Sequence, residues 1–386
     1  MLRCFISVCL LCGGFSLNAQ PRADELAYQL STRYAPYADW GAVLDVDILA
    51  KHTRTAYWSS AATIRAARSE AALPLEGLHL AVDPGHVGGR WATYEGRDFL
   101  IDEGDFRVRE GELVLEVAQR VQVALEGLGA TVTLLREQAK PVNPKSPLDY
   151  LQLADSQVPL PKELSFDSLV NYGETVRHRA IRHSIVVGEI VERARLVNEV
   201  IQPDALLSLH INAAPWPPVG PEETDTVSGL RLVKSNHVHV LIFGCLSDAE
   251  LRAPRQQESL VTKLLNGSGA EEFALGRAIG RALMDATGLP ASHYDGQNAI
   301  QLDRDTPELW ARNLMLLRMV ECPIVLLEPY VANSEAVYPR LQAALAARAS
   351  GGDLAEDDIL VEYADAVIDG VLRMYGRESV PESEEN

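Results

Sequence analysis

Residues 78–86 read Leu78-His79-Leu80-Ala81-Val82-Asp83-Pro84-Gly85-His86. A short apolar run enters a tight turn, which predicts a buried strand with a histidine delivered just past its end. Downstream of Glu110, Leu113, Val117, Val121, Leu125 and Leu128 recur at helical spacing, and Gly129 stands where a C-cap belongs. Thr131 to Leu135 follows as a second strand, rich in β-branched residues. Strand, helix, strand in this order predicts a crossover unit in a mainly parallel sheet, hence an α/β domain.

Outward from this unit the rhythm continues. Glu189 to Ile201 reads as helix and Ala205 to Leu209 as a nearly continuous apolar strand. Val227 to Val233 and Val238 to Phe243 read as strands, Glu271 to Ala286 as an amphipathic helix, Ile324 to Leu327 as the last core strand, and Leu360 to Tyr375 as a closing helix. Two stretches interrupt it. Residues 138–186 hold Pro141, Pro144, Pro147, Pro159 and Pro161, then Arg177, His178, Arg179, Arg182 and His183. They read as an insertion with one or two helices, the basic run being a solvated helix face. Residues 244–268 read as a polar second insertion. Residues 20–75 look helical and amphipathic, notably Glu25 to Arg33 and Trp40 to Ala67, and form either a layer on the main domain or a small lobe. The main domain is assigned to 76–376, and 377–386 read as an acidic, disordered tail.

A chain of 386 residues can bury one large core or two smaller ones. Its hydrophobic content of 47% and charged content of 23% are those of an ordinary globular protein. The formal net charge of −19 argues against nucleic acid as a partner, because phosphate binding wants a basic patch. Met1-Leu2-Arg3, the apolar run Cys4 to Leu17 and Asn18-Ala19-Gln20 read together as an export signal over residues 1–19. The run is short for a membrane span, so the mature chain is expected to have none and to reside in the periplasm or cell envelope. A lipoprotein signal ending at Cys12 is disfavoured by Leu11, where a small residue is wanted. Export would permit a disulfide between Cys245 and Cys322, although Cys322 fits equally as a small apolar filler.

Four places couple an apolar run to a residue that binds, or works beside, a metal. His86 follows the first strand, and His210 stands in Ser208-Leu209-His210-Ile211-Asn212-Ala213. Glu328 ends Pro323-Ile324-Val325-Leu326-Leu327-Glu328, and Glu110-Gly111-Glu112-Leu113 opens the helix. In open α/β sheets the C-terminal ends of the strands form the ligand-binding edge. Two imidazoles, one carboxylate ligand and a further free carboxylate are the parts of a hydrolytic zinc site. The free carboxylate takes a proton from water and returns it to the leaving group, and Glu328, at a buried strand end, suits that task. Glu110 and Glu112 are both candidates for the carboxylate ligand. Asp83, Asn212 and Asn333 look like groups that orient ligands, with turn-forming roles equally available. His237 and His239 alternate, so they share a strand face; they either line the cleft or are polar positions of an edge strand, and the second reading is preferred.

Taken in order, these runs resemble the zinc-dependent N-acetylmuramoyl-L-alanine amidases of bacterial cell walls. The resemblance is carried by Ala81-Val82-Asp83-Pro84-Gly85-His86-Val87-Gly88-Gly89, by Glu110 to Ala118, by Arg193 to Asn198 ahead of Ser208 to Ala213, and by Pro323 to Glu328 followed by Asn333-Ser334-Glu335. It implies a twisted mixed, mainly parallel sheet flanked by helices, with insertions at 138–186 and 244–268. It implies zinc held by His86, Glu110 and His210, with Glu328 as the catalytic acid–base. Glu110 is preferred to Glu112 because Leu113, Leu115 and Ala118 then fall in register with the family's helix. The substrate implied is peptidoglycan, cut at the amide between N-acetylmuramic acid and L-alanine. Some relatives occlude the zinc with an inserted helix until a partner moves it. Residues 244–268 are therefore expected to cover the cleft, and an activator protein joins the partners that the resemblance admits. The chain departs from the pattern at Pro329-Tyr330, at Asn236 to Leu241, and after Arg136, where an Asp is missing and an insertion follows. Two other functions stay open: a zinc exopeptidase acting on free peptides, and a catalytically silent wall-binding or regulatory protein.

Overall fold

The first strand of the crossover unit, β1 (His79–Pro84), lies inside a seven-stranded sheet in a computed structural model that describes residues 22–52, 56–218, 229–352, 354–355 and 357–376. The expected export signal (1–19) and the acidic tail (377–386) lie outside the described residues. The hairpin strands β2 (Asp98–Phe99) and β3 (Val108–Arg109) follow, then β4 (Thr131–Leu134), β5 (Ala205–Leu209) and β6 (Val238–Phe243). The last three are β7 (Ala299–Gln301), β8 (Leu309–Arg312) and β9 (Ile324–Pro329). The sheet order is β4-β1-β5-β9-β6-β8-β7. β4, β1, β5 and β9 run parallel; β6 opposes β9, β8 is parallel to β6, and β7 opposes β8. The sheet is thus mixed and mainly parallel, with helices on both faces.

The near-continuous apolar strands have a simple cause. Along β1, Leu80 and Val82 point into one core and Ala81 into another; along β5, Leu207 and Leu209 oppose Leu206 in the same way. Both faces are covered, so a polar residue on a central strand must find a partner inside, as Ser208 does with Asp83. One face packs on the helices Glu110–Gly127, Ser268–Thr287 and Ile359–Tyr375, through Val117, Val121, Ile279, Leu283, Val367 and Val371. The first helix ends as its sequence indicates, with Gly129 at φ 98° just beyond. The other face receives Leu26, Leu30 and Tyr34 of the N-terminal segment, together with Val197, Leu260, Leu264 and Leu317. Arg33 pins this segment down: its guanidinium bonds the carbonyl of Phe243 at 2.9 Å and meets the buried Glu272, which Lys263 also approaches at 2.5 Å.

Several expectations give way to the structure. Trp40 to Ala67 is not one helix but the short pieces Trp40–Ala42, Val46–Leu49 and Ala61–Ala67. Within Val227 to Val233 the described residues form no strand, only a bridge from Val233 to Ser334. β7 and β8 had no clear alternation to mark them. The helix expected to resume at Glu189 never stops: Phe166–Arg182 passes through a π turn, His183–Gly188, into Glu189–Arg195 and on through Leu196–Ile201. Its basic residues Arg177, Arg179 and His183 face solvent, as expected of a helix surface. Residues 244–268 do not cover the cleft. Because β6 runs antiparallel to β9, its end lies at the edge opposite Glu328, and the helix Pro254–Asn266 docks there, Lys263 donating to the Cys322 carbonyl at 2.9 Å. Cys245 and Cys322 are both buried and free, so they form no disulfide. Among the described residues no helix is long and apolar enough to cross a membrane.

Candidate metal centre

β1, β5 and β9 end at one edge of the sheet, and the groups singled out in the sequence gather there. His86 follows β1 through Gly85, His210 follows β5 directly, and Glu328 is the penultimate residue of β9. Glu110 is the first residue of its helix and reaches the same edge from one face. His86, Glu110 and His210 each offer a ligand atom, and these atoms all lie within 4.8 Å of one another. The two imidazoles meet edge to face, 5.0 Å between ring centroids. Glu110 Oε1 accepts from His210 Nδ1 and from the backbone N–H of Ile211, both at 3.1 Å, while Oε2 lies 3.3 Å from His86 Nε2. Glu112 stays outside this group: its carboxylate accepts from the backbone of Gly89 and from Arg109.

The backbone at His86 is strained. His86 has φ 55°, a left-handed conformation that costs a residue with a side chain about 1–3 kcal/mol. Two buried arginines hold it there. Arg193 donates to the carbonyls of Pro84 at 2.9 Å and His86 at 2.8 Å, and Arg136 to those of Pro84 at 3.0 Å and Gly85 at 3.1 Å. Asp83 anchors Arg193 at 2.7 Å while accepting from Ser208 Oγ at 2.7 Å, so it orients the turn rather than touching an imidazole. Glu95, from the short helix Ala92–Glu95, accepts from the N–H of Val87 at 3.0 Å and lies 3.3 Å from His86 Nδ1. A carboxylate on the far nitrogen of a ligating histidine fixes its tautomer and its direction. Gly85 is required by space: a Cβ there would stand 2.5 Å from His210 Nε2.

The charges set the protonation of the cluster. Burial pushes the Glu110 carboxyl up, but His86, His210 and Arg97 more than reverse it, and it falls to about 2. Burial pushes His210 down, and Glu110 beside it lifts it above the ordinary histidine value. The carboxylate is therefore ionised at neutral pH. Arg97, whose side chain is 41% exposed, closes the mouth of the cluster, its Nε donating to His86 Nε2 at 3.2 Å and lying 3.3 Å from Glu110 Oε2. The donor atoms of His86 and Glu110 thus present lone pairs and negative charge to a cation. Two imidazoles and a carboxylate suit zinc.

Glu328 is not part of the ligand cluster. Burial raises its carboxyl, yet His239, and after it His210, hold it below the usual carboxylate range. His239 Nδ1 lies 3.4 Å from Glu328 Oε2. The preferred reading of His237 and His239 as edge-strand positions is wrong: β6, which carries His239, lies between β9 and β8, His237 just precedes it, and His239 fits the other reading, that of a residue lining the cleft. Asn212, expected among the orienting groups, meets both rings, His239 Nδ1 at 3.0 Å and His237 Nε2 at 3.4 Å. Asn333 acts further out, clamping Ala214 through its N–H and C=O, both at 2.9 Å. Sequence reasoning missed Glu95, Arg97 and the role of His239. The alternation of His237 and His239 was the one available signal, since it put both rings on a single face.

No protein-family model matches the chain, and no curated protein matches it. Solved structures similar to this chain include N-acetylmuramoyl-L-alanine amidases. Ami1 of Mycobacterium smegmatis is 17% identical, with 78% of this chain and 98% of that one covered and a TM-score of 0.41. AmiC2 of Nostoc punctiforme is 14% identical, with 77% and 97% covered and a TM-score of 0.38. CwlD of Clostridioides difficile, solved in complex with the GerS lipoprotein, is 12% identical, with 77% and 98% covered and a TM-score of 0.39. At such identities, and with TM-scores below 0.5, the chemistry must be argued from this chain's own residues.

Proposed function

We propose that this chain is an exported zinc hydrolase that cleaves the amide between N-acetylmuramic acid and L-alanine in peptidoglycan, in the periplasm or cell envelope. The observation that carries the reading is the convergence of His86, Glu110 and His210 within 4.8 Å at one sheet edge, with Glu328 beside them and outside the ligand set. These three residues would hold the metal. Zinc, when bound at such a site, supplies Lewis acidity toward a carbonyl oxygen and toward water.

The remaining work falls to the protein. Glu95, Arg136 and Arg193 hold His86 in its strained position and aim its imidazole toward Glu110 and His210. Glu110 stays ionised and tied to Ile211, which fixes its direction. Glu328, low in pKa and therefore an available base, takes a proton from water and returns it to the nitrogen of the departing alanine. The net charge of −19 gives no attraction to an anionic wall, so delivery to the substrate falls to an accessory protein or to the segments flanking the catalytic domain.

The test pairs the parent with Glu328→Gln. The parent should bind zinc and, on purified sacculi, free L-alanine amino termini without new reducing sugar. The variant should keep its metal and lose activity by a factor of about 10²–10⁴. A parent that holds zinc but leaves sacculi intact would defeat the proposal: cleavage of free peptides instead would identify an exopeptidase, and no hydrolysis at all a silent wall-binding protein.

A further inference from the structure

β6 and β9 run antiparallel with His239 directly opposite Glu328, so both side chains leave the same face of the sheet. His239 is 7% exposed and is held on three sides. Its ring stacks on Tyr294, centroids 5.2 Å apart and planes at 15°, and packs 4.6 Å from the His237 ring. Its Nδ1 faces two partners at once: Glu328 Oε2 at 3.4 Å and Asn212 Nδ2 at 3.0 Å. The Asn212 amide cannot turn round freely, because its Oδ1 accepts the Ala213 N–H at 2.8 Å.

These two partners want different states of the same nitrogen. An ionised carboxylate is satisfied by a protonated Nδ1, which donates to it. An amide N–H is satisfied by a bare Nδ1, which accepts from it. Either way one partner is engaged and the other lies beside it, so the ring stays seated between the carboxylate and the amide, and the proton that Glu328 gains is water's, not one from Nδ1. Nothing in the metal cluster supplies this; the stacked Tyr294, itself bonded through its hydroxyl by Arg312 at 3.3 Å, keeps the imidazole plane fixed.

Resting on the function proposed above, we infer that His239 is the positioning residue for Glu328, holding its carboxyl in one orientation, with Asn212 and Tyr294 as its supports. His239 touches neither ligand nor substrate in this role; it acts through Glu328.

Two variants test this, each measured with zinc content and thermal midpoint beside activity on a soluble muramoyl-peptide. His239→Leu removes Nδ1. Its kcat should fall roughly 10–100-fold, the range for losing a group that orients a catalytic one, with KM and zinc content unchanged. His239→Asn puts an amide near the Nδ1 position and should recover most of the lost kcat. A purely packing role would make Leu as good as Asn, or would move the thermal midpoint and zinc content together with kcat. An active parent whose His239→Leu variant keeps full kcat overturns the inference and leaves the proposed function standing. A zinc-loaded parent without amidase activity overturns both. Should His239→Leu fail to fold, Tyr294→Leu, which removes the stacked support and keeps Nδ1, decides: a several-fold lower kcat with KM and zinc content unchanged supports positioning, and a parental kcat refutes it.

Discussion

Replacing Gly85 by alanine is the sharpest probe of the centre. Its φ is not left-handed, so the backbone itself accepts a side chain. Space does not. The new Cβ would stand 2.5 Å from His210 Nε2 and 2.6 Å from Nδ1, whereas ordinary van der Waals contact begins at 3.4 Å. The nearest ring atom, Cε1, would lie only 2.3 Å away, so something must retreat by about 1.1 Å. The backbone is poorly placed to do so: Gly85 donates to the Leu209 carbonyl at 2.8 Å, its own carbonyl is held by Arg136, and His210 N–H is bonded to Leu327 at 2.8 Å. The His210 ring must therefore swing. Metal–ligand distances tolerate only about 0.2 Å, so the displaced ring ceases to be a good ligand. Zinc affinity should fall by at least ~10–100-fold, while overpacking costs the fold only about 1–3 kcal/mol. Competition against a chromophoric chelator measures the first and urea denaturation the second. Gly173→Ala, where a Cβ meets nothing within 4 Å, is the control and should bind zinc like the parent. A Gly85→Ala protein with parental zinc affinity would refute the placement of His210 in a metal site.

Two further predictions concern the charges around the turn and the closing helix. Arg193→Met strands Asp83 and Glu189, which are 1% and 3% exposed, and should cost about 3–5 kcal/mol by urea denaturation. Arg195→Met, two residues on and paired with Glu192 at the surface, should cost no more than about 1 kcal/mol, and equal losses for the two variants would contradict the burial described. Asp358 caps the helix Ile359–Tyr375 and pairs with Arg348; burial pushes its carboxyl up, but Arg348 and the N–H groups of Val361 and Leu360 bring it below the ordinary aspartate value of 3.8. With its folded pKa depressed, its stabilisation is complete above that value and is lost as pH falls through the folded one. Denaturation curves should thus show Asp358→Asn less stable than the parent by a constant margin at neutral and mildly acidic pH, the margin narrowing below about pH 4. A margin unchanged down to about pH 2 would show that the pair does not hold the carboxyl.

Much of the centre was legible because strand ends punctuate a sequence strongly. An apolar run closed by Asp83-Pro84-Gly85 can only be a buried strand entering a turn, and His86 then has one place to go. Ala205–Leu209 has the same logic, and its strand bounds needed no revision. The distinction between Glu110 and Glu112 was not legible from spacing, because both sit in the first turn of one helix; the turn of the helix sends Glu112 to Gly89 and Arg109 instead. The failures share a cause. Nothing local in Val238–Phe243 states whether it runs with β9 or against it, and that direction alone decides that His239 meets Glu328 and that residues 244–268 leave from the opposite edge. Trp40 to Ala67 carried apolar residues at helical spacing, yet its short pieces are fixed by what they pack against, not by propensity.

The sequence by itself determined the α/β class, the strands β1, β4, β5, β6 and β9 and the identity of the metal-binding candidates, because apolar periodicity and turn chemistry act within a few residues. Only the tertiary structure decided which carboxylate faces the imidazoles, that Glu95, Arg136 and Arg193 lock the His86 turn, and that a histidine from an antiparallel neighbour stands against Glu328. Those are pairings across tens to hundreds of residues, and they exist only once the sheet has chosen its order and direction.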